Sequence, residues 1–379
     1  MTFCRVFAAA GALALAASIS VPANAQDKQP APEQQQRKLS NDERKEYVAL
    51  NELVDAVMAG KQPAPADVKL KFQNHFLKSA KNVYIPYILE GLTPETFSSY
   101  PVTMYVRAVR KGETAGAPAA AGKGADTKGA DAKGADAKGV DVTWPFADVY
   151  FLTDKSFSRT TSPSATPSTS TATAPAQQVP AEFGRALELP AGEYTLYIAM
   201  RERQPKDKKQ QPKTVVLEQP LTVPEMNAGL TTSSVILAKA LDPAPEQLTG
   251  QQQLEQPFTI SGYRVVPSFG APISMAGELM FVFFIYNEGV AASGKPDLDV
   301  EYFFHRGTEE KPFTKLATQS FNATSLPGQF DLNQGHQVFV GQGIPVKDAF
   351  KPGDYRLEIK VTDKTNSQTI TRSVPFTVS

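Results

Sequence analysis

The chain predicts a mostly β protein built as two tandem antiparallel β-sandwiches, with one N-terminal amphipathic helix and disordered inserts. Three observations predict this. The phrase Gly192-Glu193-Tyr194-Thr195-Leu196-Tyr197-Ile198 returns as Gly353-Asp354-Tyr355-Arg356-Leu357-Glu358-Ile359, and each copy is followed by a closing strand, Pro220-Leu221-Thr222-Val223 and Pro375-Phe376-Thr377-Val378. Apolar residues alternate with polar ones over most of the chain, the period of half-buried strands. The only cysteine is Cys4, so the remainder must be held by buried core rather than by disulfides.

The elements follow in chain order. Residues 1–25 run from a short start with Arg5 through an apolar stretch to Ala23-Asn24-Ala25, the pattern of a signal peptide cleaved before Gln26. Its apolar run is shorter than the ~20 residues that span a bilayer, and Cys4 lies upstream of it, away from any lipid-acceptor position. The expected location is periplasmic or secreted, with no integral membrane segment after cleavage. Residues 26–39, rich in Gln and Pro, are expected to be a disordered spacer.

A helix is expected over 40–60. Ser40 and Glu43 have capping-box spacing; Tyr47, Leu50, Leu53, Val54, Val57 and Met58 form one stripe; Gly60 stands where a C-terminal cap belongs. The first sandwich is expected over 65–226, interrupted at 112–141 by a Lys-Gly-Ala-Asp repeat and at 162–176 by a Ser/Thr/Pro/Ala tract. Both lack large apolar side chains and are expected outside the fold as mobile loops, the repeat as a solvated linker rather than a calcium loop. The second sandwich is expected over 227–379, with strands at Phe258 to Tyr263, Leu279 to Tyr286, Leu298 to Phe304, Val338 to Val340, Tyr355 to Val361 and Ile370 to Val378.

Two strands depart from alternation. Leu279 to Tyr286 and its counterpart Val83 to Leu89 are apolar on both faces. Each needs cover on its second side, from the sister domain, the N-terminal helix or a partner chain; cover within the chain is the expectation, because large exposed apolar patches are uncommon on monomers.

The strand phrases at Pro352 to Asp363 and Val374 to Val378 resemble the C-terminal strands of immunoglobulin-like or fibronectin-like modules. Such modules occur in secreted bacterial proteins, some of which carry a GWxTD domain. The resemblance implies immunoglobulin-like sandwiches; no GWxTD motif occurs in this chain, so it implies no functional residues.

Charge narrows function. With 39 basic and 39 acidic residues the chain lacks the electrostatic footprint of a nucleic-acid binder. Gly289 to Lys295 matches the first seven positions of a phosphate-binding loop, but Pro296 replaces the magnesium-holding hydroxyl and a strand pattern follows where a helix is required, so it reads as a hairpin loop. His75, His305 and His336 are the only histidines, none at metal-ligand spacing. No G-x-S-x-G elbow is present, and the acidic residues mark no pair for glycoside hydrolysis.

The expectation is therefore a protein without catalytic, cofactor or metal residues. It would act as an envelope adaptor or scaffold whose partner is an envelope protein. A module binding envelope or environmental polysaccharide is the alternative. The candidate interaction surface is Val282, Phe284 and Tyr286 on the two-faced strand, Phe303 and His305 on the polar face of theirs, and Trp144, the only tryptophan. Trp144 either anchors a ligand or packs into the first sandwich. An exposed row of Tyr and Trp on one sheet would favour sugar, and a contiguous Phe/Val/Ile patch would favour protein.

Overall fold

The computed structural model describes residues 39–93, 95–112, 144–153, 183–204, 209–244 and 248–379, with Gln251 and Asp348 described by backbone alone. The expected signal peptide, all but Leu39 of the spacer and all but Gly112 of the two inserts lie outside the described residues.

Helix α1 spans Asn41–Met58 and starts at the expected capping box: the Glu43 amide donates to Ser40 Oγ at 3.3 Å, and the Ser40 amide donates to Glu43 Oε2 at 2.8 Å. Each end of the box satisfies a donor that the first turn leaves orphaned. Gly60 takes φ +64°, the left-handed conformation that closes the helix at low cost.

The first sandwich is built from β1 (Lys71–Asn74), β2 (Leu77–Ser79), β3 (Asn82–Glu90), β4 (Val102–Arg110), β5 (Phe146–Leu152), β6 (Phe183–Leu189), β7 (Gly192–Glu202) and β8 (Thr214–Val223). In one sheet β3 is flanked by β1 and β2 on one side and by β6 on the other; the second sheet runs β5-β4-β7-β8, and all pairings are antiparallel.

The second sandwich contains β9 (Thr231–Thr232), β10 (Ile236–Pro243), α2 (Gly250–Glu255), β11 (Thr259–Ile260), β12 (Tyr263–Pro267), β13 (Glu278–Tyr286), β14 (Leu298–Arg306), β15 (Thr314–Lys315), β16 (Gln319–Phe321), β17 (Val338–Pro345), α3 (Val346–Ala349), β18 (Gly353–Asp363) and β19 (Gln368–Val378). One sheet runs β11-β12-β10-β13-β17 with β9 beside β13, and the other runs β15-β14-β18-β19 with β16 beside β14. The expected single strand from Phe258 to Tyr263 is instead a tight hairpin. Ser261 and Gly262 both take positive φ, +49° and +77°, which turns the chain between β11 and β12 in the sense that matches strand twist.

The internal repeat holds at the level of register. Tyr194 faces Leu221 and Thr195 faces Pro220 across β7 and β8; Tyr355 faces Phe376 and Arg356 faces Pro375 across β18 and β19. Both copies open on a glycine with a φ that other residues rarely adopt, +150° at Gly192 and +148° at Gly353.

The sheets stack. Leu279, Phe281, Phe283 and Ile285 on β13 point into the core of the second sandwich, with Val300, Tyr302, Leu357 and Ile359 from the facing sheet. Val282, Phe284 and Tyr286, on the opposite face, join the core that contains β3 and the inner face of β4 and β7. The outer face of β4 and β7 carries α1 through Leu50, Val54, Val57, Tyr105, Val109 and Tyr197. The order of layers is therefore helix, two sheets of the first sandwich, two sheets of the second.

Candidate interaction surfaces

The two-faced strand is covered by the sister sandwich. Val282 is 1 % exposed and Tyr286 4 %. The Phe284 ring lies 5.0 Å from Phe339 and stacks at 5.9 Å on Tyr286, whose hydroxyl accepts from the Lys78 amide of the first sandwich at 3.2 Å. In return the Tyr84 hydroxyl on β3 lies 3.1 Å from the carbonyl oxygens of Gln253 and Pro257. As a surface for another molecule, Val282, Phe284 and Tyr286 are thus corrected: an apolar strand face gains more from the neighbouring sandwich than from water, and the chain closes on itself there.

The linker between the sandwiches is pinned at the same place. Asn287, at φ +60°, donates from Nδ2 to the carbonyl oxygens of Met226 and Gly229 at 2.9 and 2.8 Å, and its Oδ1 accepts from Lys78 Nζ at 2.5 Å. Arg372 on β19 donates to the hydroxyls of Thr231 and Thr232.

Two titratable groups sit at this joint. His75, in the turn between β1 and β2, stacks on Phe269 at 4.8 Å and meets Phe258 edge-on at 6.1 Å. Its Nε2 is buried without a protein hydrogen-bond partner, and burial pushes the imidazole down to about 4 from 6.5. Burial pushes the Glu288 carboxyl up to about 7, with the Asp363 charge adding to the rise and Lys78 opposing it.

Phe303 and His305 are not an exposed pair. Phe303 is half-buried and His305 is 3 % exposed. The turn after β14 folds back over the strand end, placing His305 Nδ1 3.1 Å from the Glu309 carbonyl oxygen and Nε2 4.0 Å from Glu358 Oε2. Alternation correctly puts His305 on the outer face, but a returning loop covers that face at this position.

Trp144 belongs to the seat of α1. Arg107, central in β4 and 1 % exposed, lies 4.5 Å from the Trp144 ring and 5.2 Å from the Tyr105 ring. Its guanidinium donates to Asp55 Oδ1 and Asn51 Oδ1 of the helix, both at 2.5 Å, and to the Tyr105 hydroxyl at 2.9 Å. A buried guanidinium is tolerated only when its charge and donors are met, and here α1 meets them. Sequence reading placed Trp144 between ligand anchor and core; it packs beneath the helix, beside a cation. Arg107 itself went unnoticed, although a lone Arg inside Val102-Thr103-Met104-Tyr105-Val106-Arg107-Ala108-Val109, together with Asn51 and Asp55 one turn apart beside the helix stripe, marks it.

The segment resembling a phosphate-binding loop carries Lys295 into the protein. Its Nζ donates to the Leu326 carbonyl oxygen at 2.9 Å and lies 3.3 Å from that of Ala323. The loop joins β13 to β14 across two sheets, an arch rather than the expected hairpin, and strand β14 follows it.

No protein-family model and no curated protein matches the chain. In structure it is similar to Escherichia coli alpha-2-macroglobulin activated by porcine elastase, at 10 % identity and a TM-score of 0.18, over 82 % of this chain and 22 % of that one. It is also similar to a Salmonella alpha-2-macroglobulin mutant, at 11 % identity and a TM-score of 0.19, over 84 % and 16 % of the two chains. The chain spans less than a quarter of either protein, and likeness at this level establishes neither a common fold nor a shared activity.

Proposed function

We propose that the protein is exported and acts without chemistry of its own, as an adaptor or scaffold that holds another envelope protein. The observation that carries this reading is the continuous core joining the two sandwiches, with Phe284, Tyr286 and Phe339 packed against the first and the linker pinned by Asn287. Such a joint supports a stiff body that fixes the distance between what binds at its ends, which suits a scaffold. The exposed row of Tyr and Trp that would favour sugar is not found among the described residues, where the exposed large hydrophobics are Val48 on α1 and Val290 in the arch after β13 and the face of Trp144 is taken up by Arg107.

The test places a photo-crosslinking residue at Val48 or at Val290 of the exported chain and irradiates intact cells. One protein adduct recovered from either position, and absent without light, is the expected result. Recovery of polysaccharide with no protein adduct overturns the adaptor reading.

A further inference from the structure

Helix α1 occupies a seat that recognises it by charge. The outer face of β4 and β7 offers aromatic and aliphatic side chains around one cation, Arg107, and the helix meets it with the opposing charge of Asp55 and, one turn away, the amide oxygen of Asn51 as a hydrogen-bond acceptor. Only Leu50, Val54 and Val57 of the 18 helical residues are buried. Among the described residues α1 connects to the fold only through 59–67, which includes Pro63 and Pro65 and docks on the edge of β8 by the Val216 amide donating to the Pro65 carbonyl oxygen. Beneath that connection lies a shallow groove of about 460 Å³ lined by Ala49, Leu53, Pro63, Pro65, Arg201 and Thr214, so the end of the seat is incompletely filled.

We propose that this seat is a helix-docking groove, that α1 fills it as a displaceable plug, and that the outside occupant is an amphipathic helix of a protein partner presenting a carboxylate to Arg107. This deepens the adaptor reading and rests on it. Three physical points support the exchange. An isolated helix of this length is marginal in water, so α1 depends on its seat. When α1 leaves, Arg107 meets water, and no buried charge is stranded in the vacated face. Any replacement helix must bring an acid, because covering the guanidinium without one buries an unpaired charge; that sets selectivity at roughly 100-fold or more between helices with and without the carboxylate.

Hydrogen exchange on the unaltered chain tests the plug. The α1 amides are expected to exchange at least ~100-fold faster than those of β4 and β7, the signature of an opening smaller than global unfolding; equal rates overturn the proposal. The groove is tested with a Val54→Asp chain, whose own helix is loosened, and synthetic peptides of residues 40–60, read by emission of Trp144. The native peptide is expected to bind, and a peptide carrying Asp55→Ala to bind roughly 100-fold more weakly. Equal binding of the two peptides, or binding of neither, overturns the proposal. Loss of cooperative melting in the Val54→Asp chain also overturns it, since α1 would then be part of the fold rather than a plug. None of these failures touches the adaptor reading, which the crosslinking at Val48 and Val290 decides.

Discussion

Tyr194 and Tyr355 do the same work in their two sandwiches. The Tyr194 hydroxyl donates to the Pro190 carbonyl oxygen at 3.0 Å and the Tyr355 hydroxyl to that of Lys351 at 2.9 Å, each bond reaching four residues back across the corner that leads into the strand. Tyrosine corners of this kind tie strand to loop in immunoglobulin-type sandwiches, and both rings are also buried, at 4 % and 7 % exposed. Tyr194→Ala and Tyr355→Ala should each cost ~3 to 5 kcal/mol, whereas Tyr→Phe at either place should cost about 1 to 2 kcal/mol, because only the hydrogen bonds of the hydroxyl are lost, which at Tyr355 include one accepted from the Lys351 amide. Urea midpoints measure both. An alanine variant as stable as the parent would refute the assignment at that corner.

His75 and Glu288 set opposite pH dependences. His75 is depressed from 6.5 to about 4, so its contribution to stability is complete above pH 6.5 and lost as pH falls toward 4. Glu288 is raised from 4.5 to about 7, so its contribution is complete below pH 4.5 and lost as pH rises through 7. Between pH 4.5 and 6.5 the folded chain carries one proton, on Glu288, and the unfolded chain carries one, on His75, and the two slopes cancel. Relative to the parent, Glu288→Gln should therefore gain stability as pH rises from 4.5 to 7, and His75→Phe should lose it as pH rises from 4 to 6.5, each by roughly 3 kcal/mol. Parallel profiles for parent and variants would contradict the burial of both groups.

Lys295 should behave as a structural cation. Lys295→Met leaves the Leu326 carbonyl without its donor and should cost about 1 to 3 kcal/mol. Magnesium with a nucleoside triphosphate should leave the melting temperature of the parent unchanged; a rise that saturates with nucleotide and disappears in Lys295→Met would show a phosphate site after all.

Phe284 should matter to the whole chain rather than to one half of it. Because its ring packs between the sandwiches, Phe284→Ala should cost ~3 to 5 kcal/mol and separate the single melting transition into two as the halves uncouple. A destabilised variant that still melts in one step would mean that the coupling lies elsewhere along the interface.

Local pattern determined a good deal by itself. The capping box of Ser40 and Glu43, the alternation of Tyr355, Leu357, Ile359 and Val361, and the double copy of the Gly-acid-Tyr phrase each report a conformation decided within a few residues, and each is found where it was expected. The loss of alternation from Leu279 to Tyr286 also signalled that β13 is buried on both faces. What it could not say was by what: Tyr286 meets Lys78 and Tyr84 meets Pro257 across separations of 208 and 173 residues, and a period of two records that a face is dry without recording its cover. The tertiary structure alone decided that Phe284 faces the sister sandwich, that a returning loop closes over His305, and that Arg107 is buried beneath Asp55 and beside Trp144. The physical reason is the same in each case. Burial of a polar or two-faced segment depends on partners brought together by the fold, and only their joint arrangement makes the burial favourable.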